Sequence, residues 1–92
     1  MSEQETRHLK IVNEKGLHAR ASARLVEVVE GFDATAEVYQ AGQSASGDSI
    51  MGLLMLAASR GTTIDVQTRG PDAVALADAI ETLVAGRFGE DM

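Results

Sequence analysis

The chain has no cysteine. That excludes disulfides, thiolate metal sites and cysteine nucleophiles together, and it fits a reducing compartment. Tryptophan is also missing, and one tyrosine and two phenylalanines make up the whole aromatic complement. RNA-binding surfaces that stack bases need more than that. Positive charge is scarce: eight lysines and arginines face fourteen acidic residues, for a net charge of −6. The basic residues are scattered singly rather than gathered in a stripe, so nucleic acid is not an expected partner. The longest apolar run, around Ile50 to Ala58, is broken by Gly52 and too short to span a bilayer. The start, Met1-Ser2-Glu3-Gln4-Glu5, lacks the basic flank and apolar run of a signal peptide. No glycine-rich nucleotide loop is present, and two histidines far apart make a poor metal site. The expectation is therefore a cytoplasmic protein without metal, cofactor or membrane partner, and monomeric by default. Its 92 residues suit one domain with a modest core.

What is present has a clear periodicity. Residues 1–5 have nothing to bury and are expected to be disordered. Thr6 to Asn13 alternates as a strand, with Leu9 and Ile11 on one face. His8 in this strand has no acidic or arginine partner close in sequence and reads as structural. A loop, Asn13-Glu14-Lys15-Gly16, leads to a helix from about Ala19 to Glu30, stopped by Gly31. Thr35 to Gln40 is a second strand. Ala41-Gly42 is a tight turn into a short, polar third strand over Gln43 to Gly47, expected at a sheet edge. Asp48 or Ser49 can cap a second helix, Ile50 to Ser59, which is apolar nearly all round and ends at Gly61. Thr62 to Thr68 alternates as a fourth strand. Pro71 is placed for the first turn of a last helix, about Asp72 to Phe88, that buries Leu76, Ala77, Ile80, Leu83 and Val84. Gly89 to Met92 reads as a tail. Strands mixed with helices and joined by short turns imply an α+β sandwich, with helices on one face of a mainly antiparallel sheet.

The chemistry centres on Gly16-Leu17-His18-Ala19-Arg20. A histidine here stands between a glycine turn and a helix start, where unpaired backbone N–H groups favour negative charge. Neutral imidazole is a good nucleophile near neutral pH. A phosphoryl group on the ring would be stabilised by the N–H groups of Ala19 and Arg20 and by the Arg20 guanidinium. Lys15, Arg20 and Arg24 gather around it as a local electropositive mouth. Glu14 is the nearest carboxylate in sequence and could at most orient the ring. On spacing alone, a histidine that simply caps a helix is the plainer alternative. Likewise Ile50, Met51 and Leu53 are either core or an exposed docking patch.

Gly16-Leu17-His18-Ala19-Arg20 closely resembles the active-site motif of the HPr phosphocarriers of the bacterial phosphotransferase system. Ser46-Gly47-Asp48-Ser49-Ile50-Met51-Gly52-Leu53 resembles that family's regulatory-serine segment. The element order matches as well, and the resemblance covers residues 6 to 88. It implies a βαββαβα open-faced sandwich, a four-stranded sheet covered on one face by three helices. It also implies a stoichiometric carrier rather than an enzyme. His18 matches the histidine phosphorylated on Nδ1 by enzyme I, which draws on phosphoenolpyruvate. Arg20 matches the arginine that contacts the phosphoryl group. Ser49 matches the serine modified by HPr kinase/phosphorylase, which competes with a plain capping role. Ile50, Met51 and Leu53 fall where the family docks partners, and Arg24 would help steer acidic partner sites. Ala21 departs from the pattern, because the family usually has proline after the arginine. The Ala21-Ser22 variant resembles members of regulatory, nitrogen-type relays. The implied function is delivery of a phosphoryl group from enzyme I to enzyme IIA-type proteins. The alternative is a regulatory module whose phosphorylation state controls binding to a sensor, a metabolic enzyme or a transcription regulator.

Overall fold

A computed structural model describes residues 3–92. Its first strand, β1 (Gln4–Lys10), already includes Gln4 and Glu5. The expectation of disorder over residues 1–5 therefore fails for these two, and Met1 and Ser2 lie outside the described residues. Backbone pairing ties Gln4 to Arg69 and Glu5 to Thr68, which orders them despite their polarity. After β1 come α1 (Ala19–Glu30), β2 (Thr35–Gln40), β3 (Gln43–Ser46), α2 (Ile50–Met55), β4 (Thr63–Arg69) and α3 (Ala73–Ala85). A 3-10 turn at Arg87–Gly89 follows.

The strands form one sheet in the order β1-β4-β2-β3, with every neighbouring pair antiparallel. The polar β3 takes an edge, as its composition implied. Ala41 and Gly42 both adopt positive φ, 51° and 81°, as a tight two-residue hairpin turn requires. The inward face carries Leu9 of β1, Ile64 and Val66 of β4, Ala36 and Val38 of β2, and Ala45 of β3. Against it pack Leu25, Val26 and Val29 of α1, Leu53 of α2, and Leu76, Ile80 and Val84 of α3. The other face is polar. There His8 Nδ1 meets Asp65 Oδ1 at 2.6 Å across the β1–β4 pairing, so the partner absent nearby in sequence comes from a neighbouring strand. No helix among the described residues is long and apolar enough to cross a membrane.

Several boundaries shift from their expected places. β1 stops at Lys10 rather than Asn13, although Ile11 still bonds Thr62 and Gly61 through its backbone. α2 stops at Met55 rather than Ser59. Ala57 turns left-handed, at φ 52°, and the Ala58 carbonyl then accepts the Leu17 N–H at 2.9 Å instead of serving a helix. Pro71 lies in the turn before α3. Asp72 ties that turn to Asp33, whose N–H it accepts at 2.8 Å, rather than capping its own helix. α3 ends at Ala85, three residues short of the expected Phe88. Phe88 has φ 56° and a fully buried ring. Burying that ring reverses the chain and sends Glu90 back toward the start of α1.

Candidate functional site

The site is built on the loop between β1 and α1. Asn13 is fully buried, and its Nδ2 donates to the Gly16 carbonyl at 2.8 Å. Gly16 has φ +65°, and a Cβ there would lie 2.4 Å from the Ala58 carbonyl oxygen. Only glycine lets this loop press against the segment after α2. Leu17 is buried beside it and donates its N–H to that same Ala58 carbonyl. His18 is thus held at its backbone from both sides.

His18 is the N-cap residue of α1, with an extended backbone (φ −79°, ψ −176°). Its carbonyl accepts the first helical bond, from the Ser22 N–H at 2.8 Å. Its side chain does not cap the helix. The amides of Ala19, Arg20 and Ala21 therefore precede the helical ladder and remain as donors for an anion. Alanine at 21 keeps an N–H in this turn that a proline would lack. Ala19 and Arg20 are exposed, whereas Ala21 is buried. Lys15, Arg20 and Arg24 line one hollow together with Gly89, Glu90 and Asp91. The imidazole itself borders a separate recess walled by Leu17, Leu54, Ala57 and Ala58.

The orienting carboxylate is Glu90, not Glu14. One oxygen of Glu90 accepts from Asn13 Nδ2 at 2.8 Å, and the other meets His18 Nε2. The hydrogen bond from Asn13 holds the Glu90 carboxyl below its ordinary range. Partial burial opposes this, while the His18 hydrogen bond and the His18 and Lys15 charges assist it. From the sequence Glu90 reads as part of the tail after the last helix, and 72 residues separate it from His18. The one signal nearby is Phe88, a large apolar residue beyond the helix that must turn inward to be buried.

The second motif also divides. Ser49 is half-buried and caps α2, its Oγ accepting the Gly52 N–H at 3.0 Å. Ile50 and Met51 are exposed, at 40% and 69%. Leu53 is fully buried in the core. Its expected place in a docking patch is therefore wrong: helical spacing turns it under α2 against the sheet, away from any partner. Met55, 74% exposed, stands on the outer side with Met51.

Comparison with known proteins finds similar chains and similar folds. A family model described as the PTS HPr component phosphorylation site matches residues 5–86. A phosphocarrier protein HPr of Cupriavidus necator is 43% identical over 84 residues, 91% of this chain and 94% of that protein. A phosphocarrier protein NPr of Shewanella violacea is also 43% identical over 84 residues, 91% of this chain and 92% of its own length. A crystal structure of HPr from Thermoanaerobacter tengcongensis superposes with a TM-score of 0.90 at 28% identity, covering 96% of this chain and 99% of that one.

Proposed function

The chain belongs to the HPr family of phosphotransferase-system phosphocarriers, and from that premise we propose that it carries its phosphoryl group on His18. In this reading it receives the group from enzyme I, charged by phosphoenolpyruvate, and passes it to an enzyme IIA-type protein in the cytoplasm. The observation that carries the reading is His18 at the N-cap of an uncapped helix start, its ring on Glu90, which lines one hollow with Lys15, Arg20 and Arg24. Phosphoryl transfer requires positioning and charge stabilisation more than acid–base chemistry. The helix amides and Arg20 supply donors where the phosphoryl oxygens would stand. The neutral ring takes up the phosphoryl group as the bond to the donor breaks, and the phosphoramidate then yields it to an acceptor that binds the same face. Exposed Ile50, Met51 and Met55 on α2 offer an apolar contact for partners, and Arg24 adds charge for acidic ones. Nothing is turned over, so the chain acts as a stoichiometric carrier and not as a catalyst.

The test is onward transfer. Protein labelled through enzyme I and labelled phosphoenolpyruvate is isolated and mixed with a IIA-type protein, and the label is followed by gel. Rapid movement of label to the acceptor supports the carrier role. Label that stays on this chain while altering its affinity for a regulator would favour the regulatory module. Ala21-Ser22 and the relative named NPr support placement in a regulatory branch. Phosphorylation of Ser49 by HPr kinase/phosphorylase is a separate proposal, supported by its position at the start of α2 beside Ile50 and Met51. Incubation with that kinase and ATP, followed by mass mapping, checks it; an unmodified Ser49 would remove it.

A further inference from the structure

We infer that Glu90 is a positioning residue that selects the reacting nitrogen of His18: by taking the Nε2–H it leaves Nδ1 as the only ring nitrogen able to attack phosphorus. The inference rests on the carrier reading for its purpose, but its geometry stands apart from any partner. An ionised carboxylate only accepts hydrogen bonds. Glu90 already accepts from Asn13, and its remaining oxygen faces Nε2, so Nε2 carries the proton, and in the neutral, nucleophilic ring Nδ1 has the lone pair. The bridge is firmly held. Asn13 is fully buried and joins Glu90 to the Gly16 carbonyl, hence to the loop that carries His18. Phe88, also fully buried, anchors the other end of the strap two residues before Glu90. The His18 side chain is 27% exposed and that of Glu90 15%, so Nε2 is covered while the ring still reaches solvent.

The electron balance is simple. The Nδ1 lone pair forms the N–P bond as the donor's bond to phosphorus breaks, and the leaving group departs with that bond's electron pair. The ring keeps its Nε2–H and becomes cationic, opposite the Glu90 carboxylate. That charge pairing keeps the phosphorylated ring in a form whose neutral imidazole is a good leaving group for the next transfer.

The test uses phosphoramidate, a small donor that needs no enzyme I and releases ammonia as its P–N bond breaks. The full chain and Glu90→Ala are phosphorylated in parallel, and phosphorus and nitrogen NMR identify the modified ring nitrogen. The parent is expected to give the Nδ1 adduct. Glu90→Ala is expected to lower the ratio of Nδ1 to Nε2 product by about tenfold or more, the scale of a lost charged hydrogen bond. Glu14→Ala, which removes a nearby carboxylate that does not bond the ring, is expected to leave the ratio unchanged. A parent that reacts at Nε2, a Glu90→Ala ratio equal to the parent's, or an equal fall in Glu14→Ala would each overturn the inference. Because the donor is chemical, these failures are distinct from a failure of enzyme I to phosphorylate the chain.

Discussion

Two of the three α-helix starts, those of α1 and α2, are treated in opposite ways. At α2, Ser49 turns its hydroxyl onto the Gly52 N–H and closes the helix end. At α1, His18 occupies the same N-cap position but turns its ring away to Glu90, leaving the first amides open. A capping serine contributes about 1 kcal/mol to stability. The chain forgoes that contribution at α1 and keeps it at α2. One end is finished for stability, and the other is left unsatisfied where an anion would bind. An uncapped start is not distinctive by itself, since Asp72 leaves α3 without a side-chain cap as well; what sets α1 apart is the histidine at its N-cap and the carboxylate of Glu90 on that ring.

The largest predicted effect separates the two faces of α2. Leu53→Ala should destabilise the protein by about 2–5 kcal/mol, as core truncations do. Met51→Ala should cost less than about 0.5 kcal/mol, because that side chain is exposed. Urea unfolding of both variants checks this, and equal losses would break the assignment of Leu53 to the core. At the α1 start, Arg20→Ala should slow phosphorylation of His18 by about 10- to 100-fold, the scale of a hydrogen bond to a charged group, with little loss of stability. Rapid-quench kinetics with enzyme I read this directly. Gly16→Ala should cost about 1–3 kcal/mol, because a left-handed backbone and a 2.4 Å approach to the Ala58 oxygen both resist a methyl group. The thermal midpoint should fall by several degrees.

The caps themselves give a finer comparison. Ser49→Ala should lose about 1 kcal/mol. His18→Ser should be more stable than His18→Ala by a similar amount, since serine supplies the cap that α1 lacks. Both His18 variants lose the Glu90 contact, so the difference isolates the cap; equal stabilities would mean that the α1 end is already satisfied. The smallest effect is the pH dependence of Glu90. Its folded value lies below its ordinary 4.5, so folding favours the ionised form. Its contribution is complete above about pH 4.5 and is lost as pH falls through the folded value. Urea titrations should therefore show the parent and Glu90→Ala converging in that acid window, with the parent losing more.

Much of this was legible in the residue order, because the relevant contacts are local or periodic. Alternation in Thr62 to Thr68 gave β4 within a residue, and Gly16 with His18 marked the loop and helix start. The polar composition of β3 placed it at the sheet edge. Elsewhere long-range packing decided the outcome. Leu53 and Met51 lie two residues apart in an apolar run, and only docking onto the sheet turns one inward and leaves the other outward. α2 ends early because the loop below it needs the Ala58 carbonyl. Glu90 reaches His18 only because Phe88 turns into the core and reverses the chain, and no spacing rule spans that distance.

The central claim is that His18 carries the phosphoryl group. It is tested most directly by incubating the purified chain and His18→Ala with an active enzyme I and phosphoenolpyruvate, then recording intact masses. One acid-labile phosphoryl adduct on the parent and none on His18→Ala is the predicted result. An adduct that persists in His18→Ala, or none on the parent while a cognate carrier is labelled beside it, would contradict the account.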